Sequence, residues 1–123
     1  MIDDQLTETV INAAMDVHSH LGAGLLESAY EQCLCHELAL RKLPLERQVS
    51  LPVNYKGVHL HCGYRVDILI PERLIIEVKA VERLLPIHKA QIITYLKMTG
   101  IPVGLLINFN VAHLKNGIRR LHA

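Results

Sequence analysis

GYRVDILIPERLIIEVKAVE, residues 63–82, decides how the rest of the chain must be arranged. It reads as two apolar strands joined at Pro71-Glu72-Arg73, with Asp67, Glu77 and Lys79 inside the strands. A charge in a strand interior is unfavourable unless it is paired or bound. A three-residue loop at Pro71-Glu72-Arg73 sets Ile70 opposite Leu74, Val66 opposite Val78 and Asp67 opposite Glu77. Side chains alternate faces with period two. One face then carries Tyr64, Val66, Ile68, Leu74, Ile76 and Val78, and the other carries Arg65, Asp67, Glu77 and Lys79. A register slip of one residue would scramble both faces. Two carboxylates set directly opposite each other repel, and a divalent cation taking oxygen ligands from both removes the repulsion. The same spacing also suits a cross-strand salt-bridge ladder completed by Arg65.

Working outward, Val49, Leu51, Val53 and Tyr55 alternate with polar residues as a half-buried strand. Pro52 places that strand at an edge or a bulge. Lys56-Gly57 is a two-residue hairpin turn. The next strand runs from Val58 to Ile70, with His59 and His61 on the face of Asp67. An exposed strand face explains that histidine pair better than zinc ligation. Two helices come first. Leu6, Val10, Ala13, Ala14 and Val17 recur at helical spacing behind Asp3 or Asp4 as a cap, and Gly22 and Gly24 end the helix. The second helix runs from about Leu26 to Arg41 with Leu26, Ala29, Tyr30, Cys33, Leu34 and Leu38 inward. Downstream, Pro86 precedes a helix from about Ile87 to Thr99 closed by Gly100. Val103 to Phe109 is a continuous apolar strand of the buried kind. Strand, helix, strand implies a right-handed crossover between parallel neighbours. Asn116-Gly117 marks a last turn before a short element at Ile118–Leu121. The expected fold is α/β, a mixed central sheet flanked by helices.

At 123 residues the chain is expected to form one domain, 1–123, with a real core. Half its residues are hydrophobic and 20% are charged, a globular balance. A net charge of +1 gives no global field toward nucleic acid or membrane, so such binding must come from local groups. Cys33, Cys35 and Cys62 fit neither a disulfide framework nor a zinc site. The start of the chain has no signal-peptide pattern and no apolar run reaches membrane-spanning length. A reducing cytoplasm is the expected setting.

The run GLLESAY, residues 24–30, has the pattern Gly-x-x-Glu-x-x-Tyr, and YKG, GYRVD, EVKAVE, HKAQIITYLKMTG and GLLINFN follow it. Together these resemble the bacterial GxxExxY protein family over nearly the whole chain. That family is grouped with the PD-(D/E)-x-K nuclease superfamily, of restriction-endonuclease-like fold. The resemblance implies Asp67 and Glu77 as metal ligands, Lys79 as the catalytic lysine, and Gln91 and Tyr95 as a Gln-x-x-x-Tyr motif. It also implies Glu27 as the helix glutamate beside the metal. Val66 stands where the superfamily's name has proline, a departure that touches no ligand. The implied cofactor is Mg²⁺ or Mn²⁺ and the implied partner is DNA or RNA.

The chemistry needs such groups. Phosphodiester cleavage calls for a metal that polarises the phosphoryl group and lowers the pKa of an attacking water. Asp67 and Glu77 supply oxygens and the Val78 carbonyl can supply another. Lys79 falls on the same face, to stabilise charge or orient the water. His88, Gln91 and Tyr95 share one helix face. The expected function is a metal-dependent nuclease; the alternative is a nuclease-fold domain of little activity that binds nucleic acid or protein. No membrane partner is expected, and a homo-oligomer is compatible with the chain.

Overall fold

The structure, a computed structural model, describes residues 4–123. Helices α1 (Asp4–Leu21) and α2 (Glu27–Leu40) come first. Strands β1 (Glu46–Ser50), β2 (Val53–Tyr55), β3 (Val58–Leu60), β4 (Arg65–Ile70) and β5 (Leu74–Lys79) follow. Helix α3 (Pro86–Thr99), strand β6 (Gly104–Asn108), a 3-10 turn (Leu114–Gly117) and strand β7 (Ile118–Leu121) complete the chain. Asp3, one of the two expected caps, lies outside the described residues.

Five strands form one mixed sheet in the order β1-β4-β5-β6-β7, and β2 and β3 form a separate hairpin. The turn at Pro71-Glu72-Arg73 acts as its spacing predicts. Glu72 takes a φ of 65°, Arg73 N–H donates to the Ile70 carbonyl at 3.0 Å, and Ile70 pairs with Leu74. Strands β5 and β6 are parallel, joined through α3, which is the expected crossover. Gly100 closes α3 with a φ of 75°, its N–H donating to the Leu96 carbonyl.

The sheet separates two cores. Leu6, Val10, Ala13, Ala14 and Val17 of α1 and Tyr30, Leu34 and Leu38 of α2 pack on Ile68, Ile70, Leu74, Ile76 and Val78. Ile92, Tyr95 and Leu96 of α3 pack on Ile75 and Leu106 from the other side. This is the restriction-endonuclease-like α/β arrangement, one sheet between two helical layers. Among the described residues no helix is long and apolar enough to cross a membrane.

Three expectations need correction. The strand drawn through Tyr55 is two strands, because Pro52 has no N–H to donate and the ladder stops before it. The strand drawn from Val58 to Ile70 breaks between Leu60 and Arg65, where Gly63 takes a φ of 82°. At that pinch Leu51 N–H donates to the Tyr64 carbonyl at 2.8 Å. The β2–β3 hairpin swings away beyond it, turning at Lys56 and Gly57 with both φ values positive. Finally, Leu26 is not inward; it is 77% exposed just ahead of α2, and Cys35 is buried in its stead.

Candidate active site

The β4–β5 ladder runs from Ile70↔Leu74 through Leu69↔Ile75 to Ile68↔Ile76. The next rung, where Asp67 meets Glu77, is made by side chains. Asp67 N–H donates to Glu77 Oε2 at 2.7 Å, and Val78 N–H donates to Asp67 Oδ2 at 2.8 Å. Each acid thus accepts an amide of the opposing strand, and the sequence-predicted pair is together. Glu77 is only 4% exposed. Burial, and then the charge of Asp67, push its carboxyl up to about 8. Burial also raises Asp67, against the Val78 amide and the Lys79 charge, which favour its ionised form.

The other flank of Asp67 is β1. Arg47 pairs with Ile68 and Val49 with Val66, which leaves Gln48 opposite Asp67 with a φ of 51°. That left-handed residue turns its amide to both acids of the flank. Gln48 Nε2 donates to Glu31 Oε1 and Oε2, each at 3.0 Å, and to Asp67 Oδ1 at 3.3 Å. Arg47 donates to Glu31 Oε2 at 2.7 Å. Strict alternation fails at the same place. Val66 packs in the α3 core with Ile75 and Ile92, whereas Ile68 and Val78 pack under α1 and α2. Val66 and Val78 therefore do not share the face their register predicts, because β4 turns over at Asp67.

Sequence reasoning missed Glu31. It is buried, ion-paired to Arg47, and its charge reaches both Asp67 and Glu77. The available signal was its position four residues after Glu27, one helical turn along the same face. Glu27 itself is exposed in the first turn of α2, and its charge also reaches Asp67. The Tyr30 of the same motif is structural. Its hydroxyl donates to the Gly22 carbonyl at 2.6 Å and accepts from Leu25 N–H at 3.1 Å, and its ring stacks on Phe109 at 4.7 Å.

Lys79 is half-buried and makes no ion pair with a described residue, and its charge favours ionisation of both Asp67 and Glu77. The segment after it is pinned by buried Asn108. Val81 N–H donates to Asn108 Oδ1 at 3.0 Å, and Asn108 Nδ2 donates to the Val81 carbonyl at 2.9 Å. Asn108 thereby extends the β5–β6 ladder past its last backbone pair, Lys79↔Asn108. On α3, Gln91 Nε2 donates to the Tyr95 hydroxyl at 3.0 Å. Burial, and then the charge of Glu77, hold that hydroxyl above the usual tyrosine range, and the ring packs in one cluster with Val66 and Ile75 of β4 and β5. His88 instead accepts Leu85 N–H and caps the helix. The other sequence candidates lie elsewhere: His59, His61 and Cys62 are exposed.

The donor set fits a hard divalent cation. Two facing carboxylates supply oxygen, and a cation opposes both influences that keep Glu77 protonated. Among the described residues no three carboxylate, imidazole or thiol groups converge closely enough to hold an ion by themselves. A metal here would complete its shell with water and phosphate oxygens, as Mg²⁺ commonly does.

A family model described as the PD-(D/E)XK nuclease superfamily matches residues 4–121. No curated protein and no solved structure matches the chain.

Proposed function

The chain belongs to the PD-(D/E)XK nuclease superfamily, and from that premise we propose that it hydrolyses phosphodiester bonds of nucleic acid with Mg²⁺ or Mn²⁺ held between Asp67 and Glu77. The observation that carries this reading is the acid pair facing itself across a hairpin, each acid accepting an amide of the opposing strand, with Glu77 held neutral by burial and then by the charge of Asp67. The cation supplies a polarised phosphoryl group and an ionised water. Asp67 and Glu77 would hold it, with the Val78 carbonyl as a third oxygen and Glu27 in support. Lys79 stabilises charge that develops on the phosphoryl oxygens. Gln91, anchored on Tyr95, orients the water or the phosphate.

The test is a cleavage panel of single- and double-stranded DNA and RNA with Mg²⁺ and Mn²⁺. Lys79 acts mainly on the transition state, so Lys79→Ala should keep the fold and most affinity while the rate falls by about 10²-fold or more. Glu77→Ala should lose metal binding and cleavage together. Equal rates for Lys79→Ala and wild type would remove Lys79 from the chemistry. A second reading, a binding module with little hydrolysis, is favoured by the net charge of +1 and the small size of the chain, which leave little to hold a long duplex. Tight metal-free binding with no cleavage by wild type would select it.

A further inference from the structure

Between α3 and the root of the β2–β3 hairpin lies a cleft of about 860 Å³ whose walls are mostly apolar. One wall is Val53 at the root of the β2–β3 hairpin, another is Tyr64, and the third is α3 through Ile87, Gln91, Tyr95 and Met98. From these walls we infer that the cleft is a base-stacking groove, so that the substrate strand is single-stranded nucleic acid with its bases unpaired. The inference rests on the nuclease reading above and narrows its substrate.

Three observations carry it. First, α3 has two apolar stripes. Ile92 and Leu96 face the sheet, while Ile87 and Met98 remain 67% and 41% exposed on the cleft side. Nothing in the described chain covers that second stripe. Second, the cleft shares Tyr95 with the core cluster that holds Val66 and Ile75, strand neighbours of the acids. Gln91 and Tyr95 line it and are bonded to each other. Tyr64, 45% exposed, meets Tyr95 edge-on at 6.4 Å between ring centres. A strand seated in the cleft thus lies against the same face of the sheet that packs beside the acid-bearing strands. Third, the lining contains no lysine, arginine, aspartate or glutamate. Such walls bring no formal charge to a phosphate backbone, whereas an exposed aromatic and flexible apolar side chains receive the flat faces of bases. A duplex hides those faces inside its stack and presents phosphates outward. The size suits this occupant, since clefts of roughly 300–1,000 Å³ enclose whole small molecules.

Binding is read by fluorescence anisotropy in EDTA, so that no cleavage intervenes. The probes are a labelled single-stranded DNA, the matching RNA, a blunt duplex, and an abasic strand of equal length. The natural single strands, or one of them, should bind about 10-fold or more tightly than the duplex and the abasic strand. Tyr64→Ala should weaken single-strand binding by about 10-fold, within the range for losing one stacking partner, and Tyr64→Phe should restore it. Ile87→Glu, placed at a residue already exposed, should weaken it further by setting a charge in the groove. Equal binding of natural and abasic strands overturns the proposal, and so does preference for duplex. A dimer in sedimentation that Ile87→Glu dissociates, with no strand bound, overturns it too and assigns the cleft to a second copy. Base-dependent binding without cleavage in Mg²⁺ would leave the groove standing and remove the nuclease reading. Cleavage of duplex unaffected by Tyr64→Ala would do the reverse.

Discussion

At the residue scale the decisive group is Glu77. Burial, and then the charge of Asp67, push its carboxyl up to about 8 from an ordinary value of 4.5. Between those values the folded state holds a proton that the unfolded chain releases, so stability falls as pH rises through the window. The slope approaches about 1.4 kcal/mol per pH unit at most. Thermal melts in EDTA from pH 5 to 9 should show this decline in wild type and a flatter profile in Glu77→Gln, whose side-chain oxygen still accepts the Asp67 amide. Parallel profiles for the two proteins would mean that Glu77 is not held neutral. Tyr30 gives a second, purely structural case. Tyr30→Phe keeps the stack on Phe109 but strands the Gly22 carbonyl and the Leu25 amide. It should cost roughly 1–3 kcal/mol in denaturant unfolding and leave metal binding unchanged; a neutral effect would show that the Gly22–Leu25 loop needs no anchor.

At the element scale, how much was legible depended on whether a local rule acted alone. The Pro71-Glu72-Arg73 loop fixed the β4–β5 register because a turn's length sets which residues face each other, and Ile70 does face Leu74. The α3 boundaries followed from Pro86 and Gly100. The side change at Val66 was not legible, because alternation assumes a strand of uniform twist. The backbone at Gln48, on the neighbouring strand, departs from that assumption. Glu31 was equally hidden, since its partners Arg47 and Gln48 come from a strand that no local pattern brings to α2. Close approach of elements likewise escapes composition. A Cβ at Gly117 would lie 2.2 Å from the Asn108 carbonyl oxygen, a backbone atom that cannot swing aside. Gly117→Ala should therefore displace the turn before β7 and cost on the order of 1–3 kcal/mol, read by thermal or chemical unfolding. An unchanged midpoint would show that the turn can move away from β6 freely.

At the scale of the whole molecule, the site ties the two helical layers together. Glu31 reaches it from the α1–α2 side and Tyr95 from the α3 side, with the sheet between them. Anything that binds the folded protein alone stabilises all of it by mass action. Millimolar Mg²⁺ or Mn²⁺ should accordingly raise the melting temperature of wild type. Asp67→Asn should abolish that response while leaving metal-free stability equal or higher, since one of two repelling acids is gone. A wild-type melting curve indifferent to both ions would remove the metal from the site.

The side-chain rung between β4 and β5 bears on why acids stand there at all. Each needs only an acceptor to receive the opposing amide, and asparagine and glutamine are acceptors too. Those neutral side chains would meet the same N–H groups with no mutual repulsion and no buried charge. Two carboxylates are therefore the less favourable choice for the fold, and the hydrogen bonds of the rung do not by themselves account for them.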